Sequence, residues 1–193
     1  MDKFNVADRM NNPRYNVAEV RTYLSHESLD NFYIFGETDE SLAIALATET
    51  TEKNSRLHDN PLVQNREGSL SLPINTMPEA GNRVLDILQA AGLLGEVNEE
   101  YQLLIVFSFK GVDDVGETKP FAMMMNTKSA ISQIGGDAHE ECIFESTATS
   151  SGNILRGMVE LAAHDPTTDT FTKDAFVHRP DLTIQDIFTT ARA

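Results

Sequence analysis

Apolar side chains recur along the chain with two periods, and the shorter period predicts strands. Residues 101–110 have the strongest strand pattern, with apolar side chains at odd and even positions from Leu103 to Val106. Because both faces are apolar, this segment is predicted to be a central strand covered on both sides. A turn at 111–116 and a partner strand at 121–126 are expected to follow.

The longer period predicts helices in four segments: residues 16–28, 77–94, 153–164 and 184–192. The pattern is strongest in 77–94, where Thr76 and Glu79 have the spacing of a capping box and Gly92 and Gly95 supply stop signals. In the third segment, His164 and Asp165 are expected at the helix end, directly before Pro166.

A hairpin is predicted in the first third of the chain. Residues 31–36 and 42–50 have strand character, and the polar residues between them form an expected turn. Residues 51–68 show no period and predict a long surface loop. Shorter strands are expected at 69–74 and 142–145.

These elements do not alternate as strand and helix, so a parallel sheet is not expected. We predict an α+β fold with a mainly antiparallel sheet and three to four packed helices. The 193 residues are enough for one sizeable core, so a single domain over 1–193 is expected, with a long loop at about 51–68.

Charge excludes two classes of function. The chain has 30 acidic and 15 basic residues, for a formal net charge of −15. Nucleic acids and anionic membranes bind clustered Lys and Arg, so neither is an expected partner. Cys142 is the only cysteine and no apolar run is long enough for a membrane span, so we expect a cytoplasmic protein, in the host cytoplasm if it is viral.

Half of the acidic residues lie in three segments that contain no base. These segments fall between Arg21 and Lys53, between Arg83 and Lys110, and between Lys128 and Arg156. If they meet on one face, that face fits a basic surface of a protein partner. The predicted partner-binding residues are Glu37, Asp39 and Glu40 at the hairpin tip, with Glu27 and Asp30.

Candidate metal chemistry is incomplete. His139 and Cys142 have the spacing of half a zinc site, but a structural zinc ion needs four ligands. The pairs His58–Asp59 and His164–Asp165 each match half of a metal-dependent phosphohydrolase pattern. We therefore predict no catalytic residues, no bound metal and no cofactor.

Three functions remain open. The first is a non-enzymatic acidic binding protein, an inhibitor or adaptor that docks on a basic protein surface and that a phage or virus could encode. The second is a structural or assembly subunit of a virus particle or another homo-oligomer. The third is a metal-dependent hydrolase. Salt-sensitive docking is expected of the first and an obligate homo-oligomer of the second.

Overall fold

A computed structural model shows a protein built mainly of antiparallel strands. It describes residues 20–35, 45–53, 62–76, 81–96, 98–114, 116–135, 143–150 and 152–187. The strands are β1 (Val20–His26), β2 (Asn31–Ile34), β3 (Ala45–Lys53), β4 (Leu62–Thr76), β5 (Glu100–Asp114), β6 (Glu117–Gly135), β7 (Ile143–Ser150), β8 (Leu155–Val159), β9 (His164–Asp165), β10 (Thr170–Thr172) and β11 (Phe176–His178). The helices are α1 (Arg83–Leu94) and α2 (Ile184–Ile187), with single 3₁₀ turns at Leu161–Ala163 and Lys173–Ala175.

The strands form one curled sheet, a half-barrel, in the order β3-β4-β7-β6-β5-β1-β2-β10-β9. Strand β8 pairs with β6 and β11 outside this path. Residues 170–178 therefore bridge the two sides of the curl, because β10 pairs with β2 while β11 pairs with β8. Two strand contacts from one short segment hold the curl in shape.

Strand β6 is long because it serves two parts of the sheet. Its first half pairs with β5 on one side and, at Phe121–Met124, with β8 on the other. Its second half pairs with β7, and the register shifts between Ile131 and Gln133. Such irregularities bend a strand.

Apolar side chains cover both faces of β5, as the sequence predicts. Leu103 and Ile105 belong to one buried cluster, together with α1 residues such as Leu88. Leu104 and Val106 belong to a second cluster on the opposite face. The methionines follow the same rule, since Met123 and Met125 are buried on the helix side and Met124 is half-buried on the other.

Helix α1 begins six residues later than its capping pattern predicts. The N-cap is Asn82, whose Oδ1 accepts a hydrogen bond from the Leu85 N–H at 3.4 Å. Its Nδ2 donates to the Ile34 carbonyl oxygen at 2.8 Å, so the cap also fixes the helix to β2. Thr76, the predicted cap, is the last residue of β4. The predicted stop is confirmed, because Gly95 ends the helix in the left-handed conformation.

The prediction of an α+β fold with three to four packed helices is wrong. Residues 20–26 form β1, and 155–159 form β8, although both segments have helical spacing. A strand buried on both faces also places apolar side chains at neighbouring positions, so its pattern overlaps that of a helix. His164 and Asp165 consequently lie in β9 and not at a helix end.

The predicted hairpin and loop are also wrong. β2 pairs with β1 and β10, and β3 pairs with β4, so the two predicted hairpin strands do not pair with each other. Much of the predicted loop at 51–68 is strand, and its residues 54–61 lie outside the described residues. Within the described ranges, no helix is long and apolar enough to cross a membrane.

Candidate functional site

The described part of the predicted acidic site is the turn between β1 and β2. Glu27 and Asp30 are both exposed there. A basic residue, Lys173, also lies at this turn. Its ammonium group donates a hydrogen bond to the His26 carbonyl oxygen at 3.0 Å, and its backbone N–H donates to the Asp30 carbonyl oxygen at 3.1 Å. The other predicted residues, Glu37, Asp39 and Glu40, lie outside the described residues.

His26 brings two of the acidic segments together. Its Nδ1 lies 2.8 Å from Ser28 Oγ, and its Nε2 lies 3.2 Å from a carboxylate oxygen of Glu99. Its ring also contacts Tyr101, with centroids 5.4 Å apart. Burial, and then the nearby carboxylates of Glu99 and Glu96, raise the pKa of Tyr101 to about 12. This end of β1 and β5 is therefore an acidic patch that contains one lysine.

The candidate metal ligands do not form a site among the described residues. His139, Cys142 and His58 lie outside those residues, as do most acids of the third segment. No group of three or more His, Cys, Asp and Glu side chains comes together in the part of the chain that the structure describes. His164 is bound to Asp169 within a cluster of a different kind.

Asp169 is the centre of a partly buried polar cluster that the sequence did not reveal. Its carboxylate accepts hydrogen bonds from the Arg21 guanidinium and, at 3.0 Å, from the Tyr23 hydroxyl. The same carboxylate lies 2.8 Å from His164 Nε2. Burial and the Asp169 charge raise the pKa of Tyr23, so its hydroxyl stays a donor. The cluster joins β1 to the loop between β9 and β10.

The backbone at Asp169 is left-handed, with φ at 48°. Aspartate is one of the few residues other than glycine that adopt this conformation readily. Arg21 and Asp169 are 148 positions apart in sequence, so no local pattern pairs them. The available signal was the Asp-Pro-Thr-Thr-Asp sequence of 165–169, which is typical of a turn.

A second ionic cluster lies at the turn between β5 and β6. The Lys119 ammonium lies 2.8 Å from an Asp114 carboxylate oxygen and 2.6 Å from one of Glu160. Arg179 makes a bidentate contact with Asp181, both distances being 2.9 Å, and approaches Asp114 at 3.8 Å. These contacts hold the β5–β6 turn against β8 and β11. We therefore assign these ion pairs a role in the fold and not in a binding site.

Strands β3 and β4 form a ribbon that extends past the rest of the sheet. The described residues of β4 that pair with β7 are Ser71–Thr76. From Leu62 to Leu70, the only described strand paired with β4 is β3. At the usual rise per residue, these nine residues span about 30 Å. The outer edge of β3 has no paired strand among the described residues. We call residues 45–53 and 62–70 the ribbon.

Comparison with known proteins finds no matching family model and no matching curated sequence. Several solved structures are similar in part. One is from an extracellular contractile injection system, in its extended sheath-tube complex: 14% identity, 80% of this chain, 99% of that chain, TM-score 0.47. Another is from the tail of an empty gene transfer agent particle with C6 symmetry: 17% identity, 73% and 97% coverage, TM-score 0.45.

A third similar structure is from the tube-terminating cap of the anti-feeding prophage, at 11% identity, 76% and 94% coverage, and a TM-score of 0.44. The similar structures are thus components of tail, tube and cap assemblies. The identities of these three structures lie between 11% and 17%, and all three TM-scores are below 0.5.

Proposed function

We propose that this chain is a structural subunit that assembles with further copies of itself, and that the ribbon is its main contact with the neighbouring copy. The observation that carries the proposal is that, among the described strands, the two strands of the ribbon pair only with each other. A two-stranded ribbon is at best marginally stable in water, and about 30 Å of it needs a surface to pack against.

The open edge of β3 supports the same proposal. No described strand pairs with this edge of the nine-residue strand, and the backbone N–H and C=O groups of alternate residues point towards it. At the other end of the sheet, β9 has only two residues, which is a common way to blunt an edge. A protein that blunts one edge and extends the other has one edge suited to pairing.

Charge distinguishes assembly from the other proposed function, docking on a basic partner. Copies that each carry −15 repel one another, so salt is expected to strengthen their assembly. Salt is expected to weaken docking of an acidic face on a basic surface, because it screens an attraction. The acidic patch around His26 favours docking, whereas Lys173 in the same turn reduces its negative charge.

The test is a ribbon truncation. Thr48 and Glu67 are directly opposite in the pairing register, so deleting residues 49–66 and joining these two by Asn-Gly closes a tight hairpin. A shorter deletion of 53–62 joins Glu52 to Val63 in the same way and keeps most of the ribbon pairs. It serves as the matched control for the new turn.

We expect the full chain to form oligomers whose mass rises between about 0.05 and about 1 M salt. Mass measurement by light scattering detects this, and circular dichroism checks the fold. The long deletion should stay folded and monomeric, and the short deletion should retain part of the assembly. A full chain that stays monomeric at every salt concentration overturns assembly. A long deletion that assembles like the full chain overturns the role of the ribbon.

A further inference from the structure

A cleft of about 810 Å³ lies beside β2 and the loop between β9 and β10. Its volume is within the range of small-molecule sites, which is roughly 300–1,000 Å³. Asn31 and Tyr33 line one side, and the threonines between 167 and 172 line the other, with Asp165 and Asp169. The cleft lies at β2, β10 and β9, at the opposite end of the strand order from the ribbon strands β3 and β4, so it is separate from the proposed assembly contact.

The lining excludes a phosphorylated or otherwise anionic ligand. It contains two carboxylates, side-chain amides and threonine hydroxyls, and among the described residues no lysine or arginine lines it. An anion needs positive charge or a concentration of N–H donors to replace its water. A divalent cation is not favoured either, because the Asp169 carboxylate is already bound by Arg21, Tyr23 and His164.

The polar groups of the cleft are held in place before any ligand arrives. The Thr167 N–H donates to the Asp165 carboxylate at 2.8 Å, and the Thr168 and Thr170 hydroxyl oxygens are 2.9 Å apart. The bond from the Thr167 N–H, and then that from the Thr168 hydroxyl, lower the pKa of Asp165. Fixed polar groups reduce the entropy that binding costs.

An aromatic ring completes the set. Tyr33 is half-buried, so part of its side chain faces the cleft while the rest packs on the core. A sugar ring has one face of C–H groups, which packs on an aromatic face, and an edge of hydroxyls that both donate and accept hydrogen bonds. Carboxylate, amide and hydroxyl groups together satisfy such an edge without net charge on the ligand.

We propose that this cleft binds a neutral saccharide, with its ring against Tyr33 and its hydroxyls on Asn31 and Asp165. The proposal does not depend on assembly through the ribbon. It would give the subunit a second role in contact with glycans.

The test is saturation-transfer NMR on the full chain, with glucose, galactose, mannose, N-acetylglucosamine and their linear trisaccharides as probes. We expect at least one probe to bind with a Kd below about 10 mM. Glucose 6-phosphate should bind less well than glucose, because the described lining residues include two carboxylates and no lysine or arginine. Failure of all probes, or preference for the phosphorylated sugar, overturns the proposal.

Variants then locate the site. Asn31→Ala should weaken binding by about fivefold, the usual effect of losing one hydrogen bond. Tyr33→Leu should weaken it more strongly, whereas Tyr33→Phe keeps the ring and should retain most of it. Asn153→Ala is the matched control, because Asn153 is exposed and does not line the cleft. Circular dichroism checks that each variant is folded. If wild type, Asn31→Ala and Tyr33→Leu bind equally well, the saccharide binds nonspecifically or elsewhere on the protein, and the proposed site is overturned.

Discussion

Strand β5 and the ribbon are both antiparallel, but they depend on different surroundings. β5 lies between β1 and β6, and its side chains pack into buried clusters on both faces. The ribbon pairs only with itself among the described strands. The difference shows that β5 is enclosed by contacts of its own chain, whereas the ribbon is the part that, in the assembly we propose, a neighbouring copy completes.

The largest expected effect comes from placing proline in each region. Thr22 in β1 is opposite Ile105, accepts a backbone hydrogen bond from Phe35 at 2.8 Å and is buried. Thr22→Pro should cost about 3 kcal/mol or more and leave little folded protein, because proline cannot donate to the ladder and does not fit a central strand.

Thr50→Pro in β3 is the matched substitution in the ribbon. Because β3 pairs only with β4 among the described strands, the melting temperature of the monomer should change little while assembly weakens. Thermal unfolding by circular dichroism, in parallel with mass measurement, separates the two effects. If Thr50→Pro unfolds the protein as Thr22→Pro does, the fold depends on the ribbon as much as on its central strands, and the proposed difference between the two regions is wrong.

A smaller effect is expected outside the ribbon, where the backbones of β8 and β11 lie close together. A Cβ added at Gly157 in β8 would lie 2.0 Å from the Val177 carbonyl oxygen in β11, so these strands must separate to accept it. Gly157→Ala should lower the free energy of unfolding by about 2–3 kcal/mol in urea titrations. Gly152→Ala, at an exposed site with nothing within 4 Å, is the control and should be near neutral. Equal stability of both variants would mean that β8 and β11 do not pack this closely.

The same contrast explains what the sequence could predict. The central position of β5 was predictable because its apolar run is too long and too two-sided for an edge strand. The stop of α1 was predictable because Gly95 acts locally. β1 and β8 were not, because burial on both faces removes the polar positions that distinguish a strand from a helix.

The part of the ribbon within residues 51–68 was predicted to be a loop for the opposite reason, whereas 45–50 and 69–70 fall in predicted strands. The sequence from Thr48 to Lys53 and from Gln64 to Ser69 is almost entirely polar, so it lacks the alternation of apolar and polar residues that predicts a strand. Of the predicted partner-binding residues, Glu27 and Asp30 are exposed in the turn between β1 and β2, although Glu27 was predicted to lie at the end of a helix. The lysine beside them, Lys173, comes from a distant part of the chain, and a count of charges along the sequence cannot show it.

The smallest expected effect concerns β5, the strand that is enclosed by contacts of its own chain. The Tyr101 hydroxyl is buried and has no hydrogen-bond partner among the described residues. Tyr101→Phe should therefore raise the free energy of unfolding at neutral pH by about 1 kcal/mol, because a buried unsatisfied polar group is removed.

The same substitution should change the response to alkali. The pKa of Tyr101 is raised from 10.0 to about 12, so the unfolded chain loses its phenol proton at a lower pH than the folded chain does. Stability is therefore fully present below pH 10 and falls as the pH rises from 10 towards 12. Tyr101→Phe removes this contribution, so its stability should fall less than that of wild type between pH 8 and pH 11. Urea unfolding of both proteins at the two pH values measures this difference. Parallel losses would mean that Tyr101 ionises in the folded protein as it does in the unfolded chain.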